Sequence, residues 1–323
     1  MKMLWQVLLL LGSTSIIMWL AITRPIVFHN NPYISPIIIA PESLRERVEI
    51  LSRGLGPRDA DHPENLGKIA EYLAAEFKSH GARVSFQDFE VHYTGYRNVI
   101  AEYGPETGQV VVIGAHYDSA GDQPGADDNA SGVAGLLDLS RLLSHANLTY
   151  RIMLAAYTLE EPRYFRTKDM GSAVHARSLR ERGISVKLMI SLEMIGYFSN
   201  QENSQNFPMP LLKIFYPSQG NFILVVDQLF SSHGAELKKW MIPASDLPVY
   251  SINAPAIIPG VDFSDHLNFW NHGYPAVMVT DTAFLRNDAY HTGRDTADRL
   301  DYTKMAKVVQ GVYRYVTQAE QTK

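Results

Sequence analysis

The feature that most restricts this chain is a series of short, nearly continuous apolar runs separated by amphipathic helical stretches. Strand-forming runs occupy 84–91, 98–103, 109–115, 152–158, 188–192, 222–226 and 276–280. Helix-period segments lie between several of them, at 131–143, 172–182 and 235–241. Glu64-Asn65 opens another, with Leu66, Ile69, Ala70, Leu73 and Phe77 at the i, i+3, i+4, i+7 spacing and Gly81 as its stop. A last helix sets Met305, Val308, Val309, Val312 and Val316 on one face. A strand with no alternating polar residues has to be covered on both sides, and helices supply the cover. The expected fold class is therefore α/β, a three-layer α/β/α sandwich around a central, mostly parallel mixed sheet. A single folded domain is expected over 41–323.

Composition sharpens what can happen in such a fold. The 323 residues are 46% hydrophobic and 20% charged, which is ample for a buried core and unlike a disordered or rod-like chain. With 29 basic against 34 acidic residues the net charge is −5, so no basic face advertises nucleic acid. Cysteine is absent, which removes disulfides, thiol nucleophiles, iron–sulfur clusters and thiolate zinc sites. Any metal must be held by histidine, aspartate and glutamate.

Residues 3–22 carry no charge, and at about 1.5 Å per helical residue they reach roughly 30 Å, a bilayer's apolar thickness. Lys2 precedes this run, and Arg24 and Pro25 close it. The expectation is a transmembrane helix within 1–25 acting as an uncleaved signal-anchor, followed by a linker over 26–40. The catalytic domain would then lie outside the cytoplasm, in a periplasmic or extracellular space. A cleaved signal peptide with a secreted product is the alternative. Ser13-Thr14-Ser15 would suit a cleavage region, but Ile16 to Leu20 resume the apolar run and Ala21-Ile22-Thr23 is a poor site.

The polar residues that follow the strands carry the chemistry. The run 109–115 leads into His116-Tyr117-Asp118, 152–158 into Glu160-Glu161, 188–192 into Glu193, and 276–280, after a loop, into Tyr290-His291-Thr292. A glycine-bounded turn, Gly125-Ala126-Asp127-Asp128-Asn129-Ala130-Ser131-Gly132, delivers an aspartate to a helix start. Ligands of open α/β sheets bind at the carboxyl ends of the strands. Each feature has a plainer reading. His29, His80, His92 and His145 are ordinary surface or core histidines, glutamate pairs are usually solvated, and Asp-Asp-Asn is a common helix cap. Five such features at successive strand ends cannot all be solvated, and buried carboxylates that close repel unless neutralised. Asp128, Glu160, Glu161 and Glu193, with neutral His116 and His291, balance two divalent ions. Mixed nitrogen and oxygen donors suit zinc, with cobalt or manganese also possible. Spacing alone leaves open which of Glu160 and Glu161 would bind metal.

Taken in order with Ser264-Asp265-His266, Gly171-Ser172 and Leu192-Glu193-Met194-Ile195-Gly196-Tyr197, these segments resemble the co-catalytic zinc aminopeptidases. That family also includes glutamate carboxypeptidase and glutaminyl cyclase, and the resemblance spans roughly 42–318. It implies Asp128 as the bridge between two zinc ions, one joined by His116 and Glu193, the other by Glu161 and His291. It implies Glu160 as the general base acting on a water shared by the metals. Asp118 would fix the imidazole tautomer of His116, and Tyr197, Ser264, Asp265 and His266 would serve the pocket rather than the metals. The implied activity is removal of N-terminal residues from peptides with a free amine. A single-zinc glutaminyl cyclase and a catalytically silent receptor-like relative are the alternatives. Two departures stand out: Glu193 where many members have aspartate, and an insertion over 162–170 whose Tyr164 and Phe165 either wall the pocket or cap an exposed hairpin.

Overall fold

The computed structural model describes residues 2–27, 36 and 38–318. Among these residues eight α-helices, α1 (Lys2–Thr23), α2 (Pro41–Glu49), α3 (Pro63–Ser79), α4 (Gly132–Leu143), α5 (Gly171–Glu181), α6 (His233–Met241), α7 (His266–Asn271) and α8 (Tyr302–Gln318), accompany eight strands. The strands are β1 (Arg83–Val91), β2 (Thr94–Tyr103), β3 (Val110–His116), β4 (Arg151–Tyr157), β5 (Val186–Glu193), β6 (Ile223–Asp227), β7 (Val249–Asn253) and β8 (Ala276–Thr280). They form one sheet in the order β1-β2-β4-β3-β5-β8-β6-β7. The central run β4-β3-β5-β8 is parallel, and so is β6 with β7, while β1–β2, β2–β4 and β6–β8 pair antiparallel. Every residue of β3, β4 and β8 is buried, as their unbroken apolar sequences require.

One face of the sheet packs against α2, α3, α4, α6 and α8, joined in a single core through residues such as Leu44, Phe77, Leu136, Leu237 and Val309. The other face is covered by α5 and α7, through Ala176, Leu179 and Phe269. The three layers expected from the sequence are present. Because the four central strands run the same way, their carboxyl ends meet along one edge, with His116 level with Tyr157 and Glu193 level with Thr280.

Three elements escaped the sequence reading. The helix α2 is dominated by charge and buries only Leu44 and Val48, so its apolar stripe is too narrow to register. The strand β7 mixes polar and apolar residues at the far edge of the sheet. The short α7 begins at His266, one of the expected pocket residues, and spans only six residues, too few to show a helical period.

The N-terminal expectation requires a correction. The uncharged run does form a single helix, α1, yet among the described residues no helix is long and apolar enough to cross a membrane. Gln6 and the Ser13-Thr14-Ser15 segment interrupt its apolar character, with Ser13 and Thr14 turning their hydroxyls back onto the Leu10 carbonyl at 2.9 and 2.8 Å. The last turn of α1 instead meets the domain. Trp19 packs on Phe215 with ring centroids 5.3 Å apart, and Arg24 lies over Tyr216. Of the linker expected over 26–40, residues 28–35 and 37, His29 among them, lie outside the described residues. Its end is tied down, since the Gln310 side chain bonds both the Pro36 carbonyl (3.0 Å) and the Ile38 N–H (2.9 Å).

Candidate metal centre

β3 ends on His116, the turn after β4 presents Glu160 and Glu161, β5 ends on Glu193, and the loop after β8 carries His291. The turn before α4 brings in Asp128. All of these except His291 are buried, and His291 is half-buried. The Asp128 carboxylate is shared between two groups. Its Oδ1 lies 3.3 Å from His116 Nε2, which is also 3.4 Å from Glu193 Oε2. Its Oδ2 lies 3.1 Å from His291 Nε2, which is also 3.1 Å from Glu161 Oε2. Glu160 Oε2 stands further back, 3.9 Å from His116 Nε2.

These residues fit a divalent metal on the structure's own terms. His116 Nε2, His291 Nε2 and Glu161 Oε1 are buried without a hydrogen-bond partner, a costly state unless another group engages them. Donor separations of 3.1–3.4 Å match the edge of a zinc tetrahedron, about 3.3 Å for bonds of about 2.05 Å. His116, Asp128 and Glu161 alone bring donor atoms within 4.8 Å of one another. The electrostatics point the same way. Burial raises the carboxyls of Glu160 and Glu193, and together with Asp128 it lifts Glu161 to about 8. Burial opposes the charging of His116, but Glu193 and Glu160 outweigh it and hold the imidazole well above its ordinary range. His291 is pushed up to about 10, its burial outweighed by Asp128 and Glu161. Asp128 itself is held low: the two imidazoles overcome its burial. Protons are thus retained between crowded carboxylates, which is where a divalent cation would replace them.

Backbone contacts set this geometry. Asp118 accepts the N–H groups of Glu160 and Glu161 at 3.2 and 3.1 Å, so one carboxylate fixes the glutamate pair. Its link to His116 runs through its own carbonyl, 3.2 Å from Nδ1, while its carboxylate is 3.6 Å away. Ser264 donates to Glu193 Oε2 at 2.7 Å and orients that carboxylate. His266 makes its contacts elsewhere than with the metal donors: its Nε2 donates to the Val261 carbonyl at 2.8 Å and its ring meets Trp270 edge-on. Asp265 is fully buried with both oxygens unpartnered, and burial raises it to about 7. The Tyr197 N–H donates to Asp281 at 2.8 Å, and its ring lies under Arg299. In the insertion, Tyr164 is buried against Tyr96, and Phe165 props Phe263, a wall of the adjoining cavity.

Several positioning groups were not singled out from the sequence. Asp295 accepts the N–H groups of Asp127 (3.1 Å) and Asp128 (3.0 Å), which holds the bridging residue. Asn129 donates to the Leu192 carbonyl (2.8 Å) and accepts from the N–H groups of Gly132 (3.0 Å) and Met194 (3.1 Å), tying the Asp128 turn to the Glu193 strand. Arg58, fully buried, donates to the carbonyls of Tyr117, Pro124 and Gly125. Only Asn129 carried a sequence signal, its place within the Asp-Asp-Asn turn.

A sandwich that gathers two imidazoles and three glutamates around a shared aspartate, at the carboxyl edge of its parallel strands, has the architecture of a metal-dependent hydrolase. The chain belongs to peptidase family M28, whose sequence pattern matches residues 98–316. It is 48% identical over 302 residues to the uncharacterized protein YfbL of Escherichia coli K12, covering 89% of this chain and 93% of that one. It is 28% identical over 253 residues to a probable leucine aminopeptidase 1 of Trichophyton verrucosum, covering 74% of this chain but 61% of the fungal protein. Among solved structures, a zinc aminopeptidase from Bacillus subtilis superposes with a TM-score of 0.70 at 14% identity, over 90% of this chain and 98% of that one. A glutaminyl cyclase from Bacteroides thetaiotaomicron superposes with a TM-score of 0.65 at 18% identity, over 88% and 99%. At those identities the likeness is one of fold.

Proposed function

We propose that this chain is a zinc-dependent aminopeptidase that removes N-terminal residues from peptides with a free α-amine. The observation that carries the reading is the division of the Asp128 carboxylate, one oxygen toward His116 and Glu193, the other toward His291 and Glu161. That pattern supplies donors for two ions rather than one, and so favours a peptidase over a single-zinc cyclase. When bound, zinc would supply Lewis acidity to the attacking water and the scissile carbonyl.

Glu160 takes the water proton and returns it to the leaving amine. Its carboxyl is buried, stands 3.9 Å from His116 Nε2, further than the metal donors stand from one another, and burial raises it above the ordinary carboxylate range, which makes it the stronger proton acceptor once ionised. Asp118 keeps it aimed through the Glu160 N–H. Tyr290 stacks on His291 with ring centroids 3.8 Å apart, and burial and the nearby carboxylates hold its phenol protonated. It can therefore donate a hydrogen bond to the oxyanion that develops from the carbonyl. The uncharged run 3–22, retained as α1, is the one feature that speaks for work outside the cytoplasm; fractionating the host cell and finding residues 1–23 still present in the mature protein test that placement.

Glu160→Gln removes a proton acceptor and leaves the metal donors. It is expected to retain zinc and lose at least about 10²-fold in kcat on an aminoacyl anilide. Undiminished turnover would overturn the role of Glu160. Mass spectrometry on peptides with N-terminal glutamine separates the cyclase alternative, because loss of ammonia without shortening would replace the peptidase reading.

A further inference from the structure

Beside the metal centre lies a cavity of about 500 Å³, with Glu193 and Tyr290 of that centre in its lining. Its walls are apolar, Phe263, Phe284, Val226 and Met278 among them. Trp19, Thr23 and Arg24 of the α1 segment also line it. These residues are held against the domain. Trp19 meets Phe215, Arg24 covers the rings of Tyr216 and Tyr250 at 4.9 and 5.5 Å, and the Lys238 ammonium donates to the Pro25 carbonyl at 2.8 Å. At about 500 Å³ the cavity falls within the roughly 300–1,000 Å³ of pockets that enclose a whole small ligand, several times what one leucine side chain fills. Phe230 lines the same cavity and remains 81% exposed, so its apolar lining reaches the surface.

We propose that this cavity binds an apolar chain longer than leucine's, borne by the N-terminal residue of the substrate, and that the end of α1 is a specificity element of the site. The inference rests on the aminopeptidase reading. A volume larger than any single aliphatic side chain would be left partly empty by leucine, and each further methylene buried strengthens binding several-fold. The class of substrate is an amphiphile: a free α-amine beside the metals and an alkyl chain, lipid-like in length, running toward Trp19.

Two measurements on the full-length protein test this. In the first, kcat/KM is compared for the anilides of alanine, leucine and 2-aminodecanoic acid. The decanoyl substrate is expected to exceed leucine at least tenfold, and Trp19→Ala to lower that ratio about tenfold. Thr23→Trp, which fills the same end of the cavity, is expected to lower it as well, so the test survives if one variant fails to fold. In the second, calorimetry follows 2-aminodecanamide binding to Glu160→Gln, where Trp19→Ala added to that background should weaken affinity about tenfold. A preference that stops rising at leucine, or variants that leave both ratio and affinity in place, would overturn the proposal. Failure to cleave any of the three anilides would instead count against the aminopeptidase reading. The calorimetry, which needs no turnover, would still decide whether the cavity and α1 hold the chain.

Discussion

His291 and His266 both follow acidic or hydroxyl residues in the sequence, and only their surroundings tell them apart. His291 Nε2 faces two carboxylate oxygens at 3.1 Å and has no hydrogen-bond partner, while His266 Nε2 is engaged by the Val261 carbonyl. His291→Ala is therefore expected to lower zinc stoichiometry and activity together. His266→Ala should leave stoichiometry intact and cost about 1–3 kcal/mol of stability, as a buried ring and its hydrogen bond are lost. Metal analysis of the purified variants decides between them; shedding of metal by His266→Ala would overturn the assignment. Asp118→Asn removes one acceptor from the pair that receives the Glu160 and Glu161 N–H groups. A loss of about 10–100-fold in activity or zinc affinity is expected, the usual scale for groups that orient a metal site from behind. The candidate ligands were legible in the sequence because charged residues followed apolar strands at separate points of the chain. Asp295 and Arg58 were not, because their roles rest on backbone groups far away in sequence: Asp295 on the amides of Asp127 and Asp128, Arg58 on three carbonyls.

At the scale of elements, apolar continuity located all the central strands, and helical periodicity located α3, α4, α5, α6 and α8. What failed was amphipathicity of low contrast, as in the charged α2 and the mixed edge strand β7. The layer made by α5 and α7 carries a second consequence. His175 on α5 accepts or donates a 2.8 Å hydrogen bond with the Tyr157 hydroxyl, and burial lowers its pKa to about 3. Burial lowers His266 on α7 to about 4. The unfolded chain binds these protons from about pH 6.5 downward and the folded chain does not. Stability from these groups is thus present above pH 6.5 and is lost as the pH falls, by about 2 kcal/mol each at pH 5. The raised carboxylates at the metal centre act in the opposite sense over the same range, so the informative quantity is a difference. His175→Gln, which keeps a hydrogen-bonding side chain but cannot titrate, should lose about 2 kcal/mol less than wild type between pH 7 and pH 5. Denaturant midpoints at the two pH values measure this, and identical pH dependence would exclude His175 as a contributor.

Across the whole molecule, the helical core and the site edge are built without α1. Among the described residues the main core begins at Ile39 and takes in none of the first helix, while the end of α1 and the two residues after it meet the domain through Trp19, Arg24 and Pro25. Folding and specificity are therefore separable by truncation. A chain lacking residues 1–25 should fold, bind zinc as the full chain does and unfold within about 5 °C of it, since loss of an aromatic contact and a hydrogen bond shifts a domain of this size by only a few degrees. Removal of Trp19 and Arg24 opens one end of the cavity to water. KM for substrates with a long alkyl side chain should then rise about tenfold, with a smaller rise for leucine substrates, whose shorter side chain has fewer contacts to lose. A truncated chain that precipitates, or that unfolds more than 10 °C below the full-length protein, would show that α1 supports the fold itself. Equal rises in KM for both substrates would place the lost contacts at the metal centre instead of at the far end of the cavity.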